Sequence, residues 1–164
     1  DEGYGVTQLV SVLLEIETAI LNATHVYDRQ TWGMQDLPGF TFEKKPKTIT
    51  IALEEPEIHL HPKHQSMIAE MLMDAYERFN IHFIIETHSE YLLRHTQYMV
   101  ASAKYANAEE LDKQCPMKVY YFPERGTAYD MQYRTNGKFT QSFGEGFFDE
   151  ADKWVMKMYE LEED

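Results

Sequence analysis

Residues 48–62 read Thr-Ile-Thr-Ile-Ala-Leu-Glu-Glu-Pro-Glu-Ile-His-Leu-His-Pro, an apolar, β-branched run that meets two carboxylates and then a proline. A run from Ile49 to Leu53 without a charge is the pattern of a central parallel strand buried on both faces. Pro56 ends it, because proline brings no N–H to a strand ladder. In open α/β sheets ligands bind beyond the carboxyl ends of the strands, so Glu54 and Glu55 are expected to open into a site. The same residues also fit a buried strand followed by a solvated acidic turn.

Four apolar residues, an acidic pair and a proline resemble the Walker B segment of ABC-type P-loop ATPases. Glu54 stands where most of that superfamily has Asp, a variant similar to the branch of the overcoming-lysogenization-defect ATPases and their phage-defence relatives. Residues 55–62, Glu-Pro-Glu-Ile-His-Leu-His-Pro, resemble that branch's wording. The resemblance implies that Glu54 holds Mg²⁺ through water and that Glu55 polarises the water attacking the γ-phosphate of ATP. Phosphoryl transfer asks mainly for positioning and charge neutralisation, which carboxylates and a metal ion can supply.

Upstream, Val6, Leu9, Val10, Leu13, Leu14, Ile16, Ile20 and Leu21 recur at helical spacing and predict a helix of about 16 residues. Ahead of it, Gly3-Tyr-Gly-Val-Thr-Gln8 reads as a glycine-rich turn. Glycines let a backbone approach an anion, and the N–H groups and dipole of a following helix attract one. A plain helix cap fits the same residues. The turn resembles the ABC signature motif, which implies that Gly3, Gly5, Thr7 and Gln8 bind the ATP of an opposing subunit.

Periodicity is lost from Ala23 to Lys47, where Gly33, Pro38, Gly39 and Pro46 predict an irregular insertion carrying His25, Tyr27, Asp28 and Trp32. After Pro62, which suits a first helical turn, Met67, Ile68, Met71, Leu72, Ala75 and Phe79 predict a helix to about Asn80. His59 and His61 alternate along extended chain and, with His64 nearby, also fit zinc ligation. Capping of the helix by these polar residues is the plainer reading.

Ile81-His-Phe-Ile-Ile-Glu86 is a second short strand, and Thr87-His88-Ser89-Glu90 follows directly, with Ser89 placed to cap another helix. Acidic pair, helix and strand-end histidine arrive about 30 residues apart, the usual repeat of a strand-helix-strand unit. Glu-Thr-His-Ser resembles the switch-histidine segment of this branch. The implied role of His88 is to hydrogen-bond the γ-phosphate and the attacking water. Glu54, Glu55 and His88 are then expected to project from neighbouring strand tips into one pocket.

The following helix is expected to reach about Lys104, with one short turn within 107–114. Lys118–Pro123 and Thr127–Arg134 predict a hairpin through Glu124-Arg-Gly126, and Asn136-Gly137 a tight turn. Gly-Phe-Phe-Asp-Glu150 leads into a tail helix with Trp154, Val155, Met158 and Leu161. It resembles the carboxyl-terminal extension of many ATPases of the branch, and fits either an apolar clamp on the core or a partner surface.

With 15 basic against 28 acidic residues the net charge is −13, which argues against this chain alone gripping a nucleic-acid backbone. Lone Cys115 rules out an internal disulfide and fits a reducing cytoplasm. No apolar run approaches the roughly 20 residues of a membrane span. No Gly-x-x-x-x-Gly-Lys-Ser/Thr phosphate loop occurs, so the resemblance implies that the phosphate cradle lies upstream or on another chain, and that these 164 residues are a fragment or a split partner. The expected fold class is α/β: the carboxyl-terminal half of an ABC-type P-loop NTPase head over residues 1–134, with parallel strands flanked by helices and a small antiparallel hairpin, then an extension with a C-terminal helix over 135–164. The implied protein is an ATP-dependent dimer or higher oligomer closing on ATP and Mg²⁺, gating a nuclease effector, with any DNA contact through other regions and no membrane partner. Two other readings are a metal-dependent hydrolase built on Glu54, Glu55, Glu57, His59, His61 and His88, and a non-catalytic interaction module.

Overall fold

The computed structural model describes residues 2–31 and 48–162 and divides the chain into two compact units, residues 1–92 and 93–164, each with its own core. In the first unit, α1 (Glu2–Thr31) precedes β1 (Ile49–Glu54), α2 (Pro62–Phe79), β2 (Ile81–Glu86) and the first turn of α3 (Glu90–Ala103). β1 and β2 pair in parallel from Ile49 opposite Ile81 to Glu54 opposite Glu86. The crossover between them is α2, as a parallel pair requires.

α2 is delimited by local chemistry. The His61 side chain accepts from the Lys63 N–H, Pro62 occupies the first turn, and Asn80 closes the helix in the left-handed conformation at φ 54°. Ile68, Ala69, Leu72 and Ala75 form its buried stripe, while Met67 and Phe79 are exposed. Ile81 at the start of β2 is fully buried, and Leu53 and Leu60 complete this part of the core.

Several expectations for this unit are corrected. The first helix does not begin after a glycine turn: Gly3 to Gln8 are already helical, and α1 runs 30 residues, taking in positions 23–31 of the expected irregular insertion. Gly5 is used for close approach instead of a turn, lying buried against the carbonyl of His59. The remaining insertion residues, including Trp32, Gly33, Pro38, Gly39 and Pro46, lie outside the described residues.

The buried stripe of α1 is also narrower than its apolar content. Val12 and Ile16 are buried, whereas Val10, Leu13, Leu14 and Leu21 are exposed. Nor is β1 covered on both faces: Ile49, Ile51 and Leu53 face the covered side, and Thr50, Ala52 and Glu54 are exposed. β2 follows the same alternation, leaving Ile84 67% exposed. In-register parallel partners share a face, so one covered side on β1 imposes one covered side on β2.

The second unit holds the rest of α3, α4 (Ala108–Gln114), two very short antiparallel strands, β3 (Tyr120–Tyr121) and β4 (Tyr129–Asp130), and α5 (Glu150–Glu162). Asn107 caps α4 by accepting from Glu110 N–H. Val100 and Met131 are fully buried at its centre. The expected hairpin is reduced to two residue pairs, and the neighbouring aromatics pack as a cluster: Tyr121 meets Phe143 and Phe147, and Phe143 stacks on Phe147 with centroids 4.8 Å apart. The tight turn at Asn136-Gly137 forms, with Gly137 at φ 78° and its N–H donating to Arg134. Among the described residues the tail helix is not buried as a clamp on the core would be: Trp154, Val155, Met158 and Leu161 are all exposed.

Candidate functional site

β1 and β2 end side by side, and the chain beyond each tip builds the candidate site. The ladder continues one residue past β1, with Glu55 N–H donating to the Glu86 carbonyl at 2.8 Å. Glu55 then leaves the strand at φ 43°. A residue with a β-carbon in this left-handed region costs on the order of 1–3 kcal/mol, and such conformations gather at functional sites. The turn breaks the strand's alternation, so Glu55 no longer follows Glu54 by simple pleating. Its Oε1 reaches 3.5 Å from His88 Nε2.

The two side chains are 42% and 69% exposed for Glu55 and His88, so they share an open surface instead of an enclosed pocket. A polar contact this exposed contributes little to stability. Its significance is chemical: a carboxylate that accepts and an imidazole that can donate, side by side, can orient one shared water. Glu54, exposed at the tip of β1 opposite Glu86, neighbours this contact without being part of it.

The backbone carrying His88 is fixed from below. Buried Glu57 accepts the His88 N–H at 2.8 Å. Ser89 caps α3 by accepting from Leu92 N–H at 3.1 Å, and donates to Gln65 Oε1 at 2.6 Å. Gln65 in turn donates from Nε2 to the Leu60 carbonyl at 3.0 Å. The turn after β2 is thus laced to the turn after β1 and to α2. That turn contains a second left-handed residue, His59 at φ 61°, and fully buried Pro56.

Sequence reasoning placed Glu54, Glu55 and His88 in one pocket; the structure brings Glu55 and His88 to 3.5 Å on an open surface and leaves Glu54 outside that contact. That reasoning missed Glu57 and Gln65 as supports of the contact; the only available signal was a glutamate directly after a strand-ending proline. Gly5 comes against the same turn: a β-carbon there would lie 2.7 Å from the His59 carbonyl oxygen. Thr7, two residues on, is exposed and Gln8 partly so. The metal-hydrolase reading does not find its geometry, because among the described residues no three His, Cys, Asp or Glu side chains gather to hold a metal ion. His61 is engaged instead as the cap of α2.

The first unit is thus a parallel strand-helix-strand unit with a glutamate and a histidine meeting just beyond adjacent strand tips. The sequence pattern of the AAA ATPase domain matches residues 1–93, and the chain belongs to that family. The matched span takes in α1, both parallel strands, Glu54, Glu55 and His88. No curated protein and no solved structure matches the chain. No helix among the described residues is long and apolar enough to cross a membrane.

Proposed function

We propose that this chain is the hydrolytic half of an ABC-type ATPase head of the overcoming-lysogenization-defect branch. The observation that carries the reading is the Glu55–His88 contact at neighbouring strand tips. Glu55 orients the attacking water and takes up its proton at Oε1, and His88 holds the water or the γ-phosphate from the other side. The carboxylate oxygens of the acidic pair suit Mg²⁺, a hard ion that keeps several waters and takes one or two carboxylates beside the phosphates. Glu54, exposed beside Glu55, would hold it, and the ion would neutralise charge on the phosphates. The first turn of α1 leaves the backbone N–H of Gly3 without an intrahelical acceptor, and this end of the helix, with Gly5, Thr7 and Gln8 following, would face the nucleotide of an opposing subunit.

The half-covered parallel pair supports the reading, since all-parallel sheets occur almost only with both faces covered. The phosphate loop and further strands would come from sequence outside these residues or from another chain. Two heads sandwiching two ATP molecules would then gate an effector, a nuclease in a phage-defence or DNA-maintenance setting, as the resemblance implies. The test is reconstitution with a phosphate-loop half, followed by ATP hydrolysis assays of wild type and Glu55→Gln. Equal turnover in the two would remove Glu55 as the base and with it this reading.

A further inference from the structure

We infer that Glu57 is the positioning residue for His88, holding the imidazole at Glu55 by fixing its backbone. The catalytic meaning of this inference rests on the function proposed above; the hydrogen bond itself does not.

Glu57 is only 7% exposed, and its Oε1 accepts the His88 N–H at 2.8 Å across 31 residues of sequence. Its backbone is pinned too: the preceding Pro56 is fully buried, and the Glu57 carbonyl accepts Leu60 N–H at 3.0 Å. The other carboxylate oxygen, Oε2, is buried without a hydrogen-bond partner among the described residues. Leaving a buried acceptor dry costs on the order of 1–3 kcal/mol. If burying surface were all this position required, an apolar side chain would avoid that cost. A carboxylate offers instead a short, charge-assisted bond to the one amide that sets where His88 begins. Gln65 holds Ser89 independently, so the residue after His88 is fixed by a second support. The 69% exposed imidazole is then aimed by a rigid base while remaining free to meet a ligand.

Amide hydrogen exchange followed by NMR on the 164-residue chain tests this without requiring activity. In wild type the His88 amide exchanges slowly although it lies outside any strand or helix. In Glu57→Ala it exchanges faster by on the order of ten- to a hundredfold, the range for losing a bond to a charged acceptor, while the β1–β2 ladder amides keep their protection. Glu57→Gln, which retains a side-chain carbonyl oxygen, restores slow exchange at His88. A wild-type His88 amide that exchanges like an unbonded one overturns the inference. So does a folded Glu57→Ala chain with His88 still protected, or a Glu57→Gln chain that loses His88 protection alone. If Glu57→Ala does not fold, wild type and Glu57→Gln decide. In the reconstituted head, Glu57→Ala lowers kcat with KM for ATP unchanged, and Glu57→Gln recovers it. Exposure of the His88 amide with undiminished kcat would overturn the catalytic part, and inactivity of every variant including wild type would count against the proposed function and leave the bond standing.

Discussion

Gly5 of α1 lies so close to His59, in the turn after β1, that a β-carbon would sit 2.7 Å from the His59 carbonyl oxygen. The obstacle is backbone, so it cannot rotate aside as a flexible side chain would. Gly5→Ala therefore forces α1 away from the turn, and overpacking of this kind costs about 1–3 kcal/mol. Chemical denaturation is expected to show a lower midpoint for Gly5→Ala. An unchanged midpoint would mean that α1 does not dock on the turn in solution.

Glu55 and His88 meet at 3.5 Å on an open surface, so their replacement should change chemistry far more than folding. In the reconstituted ATPase, Glu55→Gln is expected to lower kcat by about 10²–10⁴-fold, the usual contribution of a general base, with nucleotide binding retained. His88→Ala should lower kcat as well. Unfolding midpoints of both variants should stay close to wild type, because exposed pairs contribute little stability.

Asn80 ends α2 at φ 54° and its Nδ2 donates to Thr48 Oγ1 at 3.1 Å, joining the end of the helix to the residue before β1. Two substitutions separate these roles. Asn80→Gly loses the side-chain bond but suits the left-handed conformation, whereas Asn80→Ala loses the bond and is strained by about 1–2 kcal/mol. Alanine should thus be the more destabilising, reversing its advantage over glycine inside a helix. A urea titration finding Asn80→Ala equal to or more stable than Asn80→Gly would contradict the cap.

In the second unit Tyr133 donates to Thr96 Oγ1 at 2.8 Å, and burial pushes its hydroxyl well above the ordinary value of 10, outweighing the opposing effect of the Thr96 bond. Above that pH the unfolded chain loses a proton that the folded chain keeps. Stability linked to Tyr133 is therefore fully present below pH 10 and declines as pH rises toward the folded value. Comparing wild type and Tyr133→Phe from pH 8 to about 11 isolates this residue from other groups that titrate there. The variant should begin about 1 kcal/mol less stable, from the lost hydrogen bond, and fall less steeply. Parallel curves would show that Tyr133 is not buried in the folded protein.

Elements bounded by strong local chemistry were legible from residue order. Pro62 with a polar cap opened α2, Ser89 opened α3, and two apolar runs flanking α2 made a parallel pair. Misreadings arose where a residue serves a distant neighbour. Gly5 resembled a turn glycine, but its missing β-carbon makes room for the His59 carbonyl, and helical backbone serves that purpose as well as a turn. The apolar residues of β1 and α5 announced burial, yet hydrophobicity says only that a side can be covered. It does not say that described residues cover it, as exposed Trp154 shows.

Sequence alone determined that a glutamate pair and a histidine would end consecutive strands, because β-branched runs, proline and helix caps act over a few residues and need no distant partner. Only the tertiary structure decided which glutamate meets the histidine. Left-handed backbone at Glu55 turns that carboxylate toward His88, and buried Glu57, 31 residues from His88 in sequence, holds the histidine's amide in place. Both depend on the spacing and register of two paired strand tips, which arise when the strands pack and are encoded in no short stretch of either.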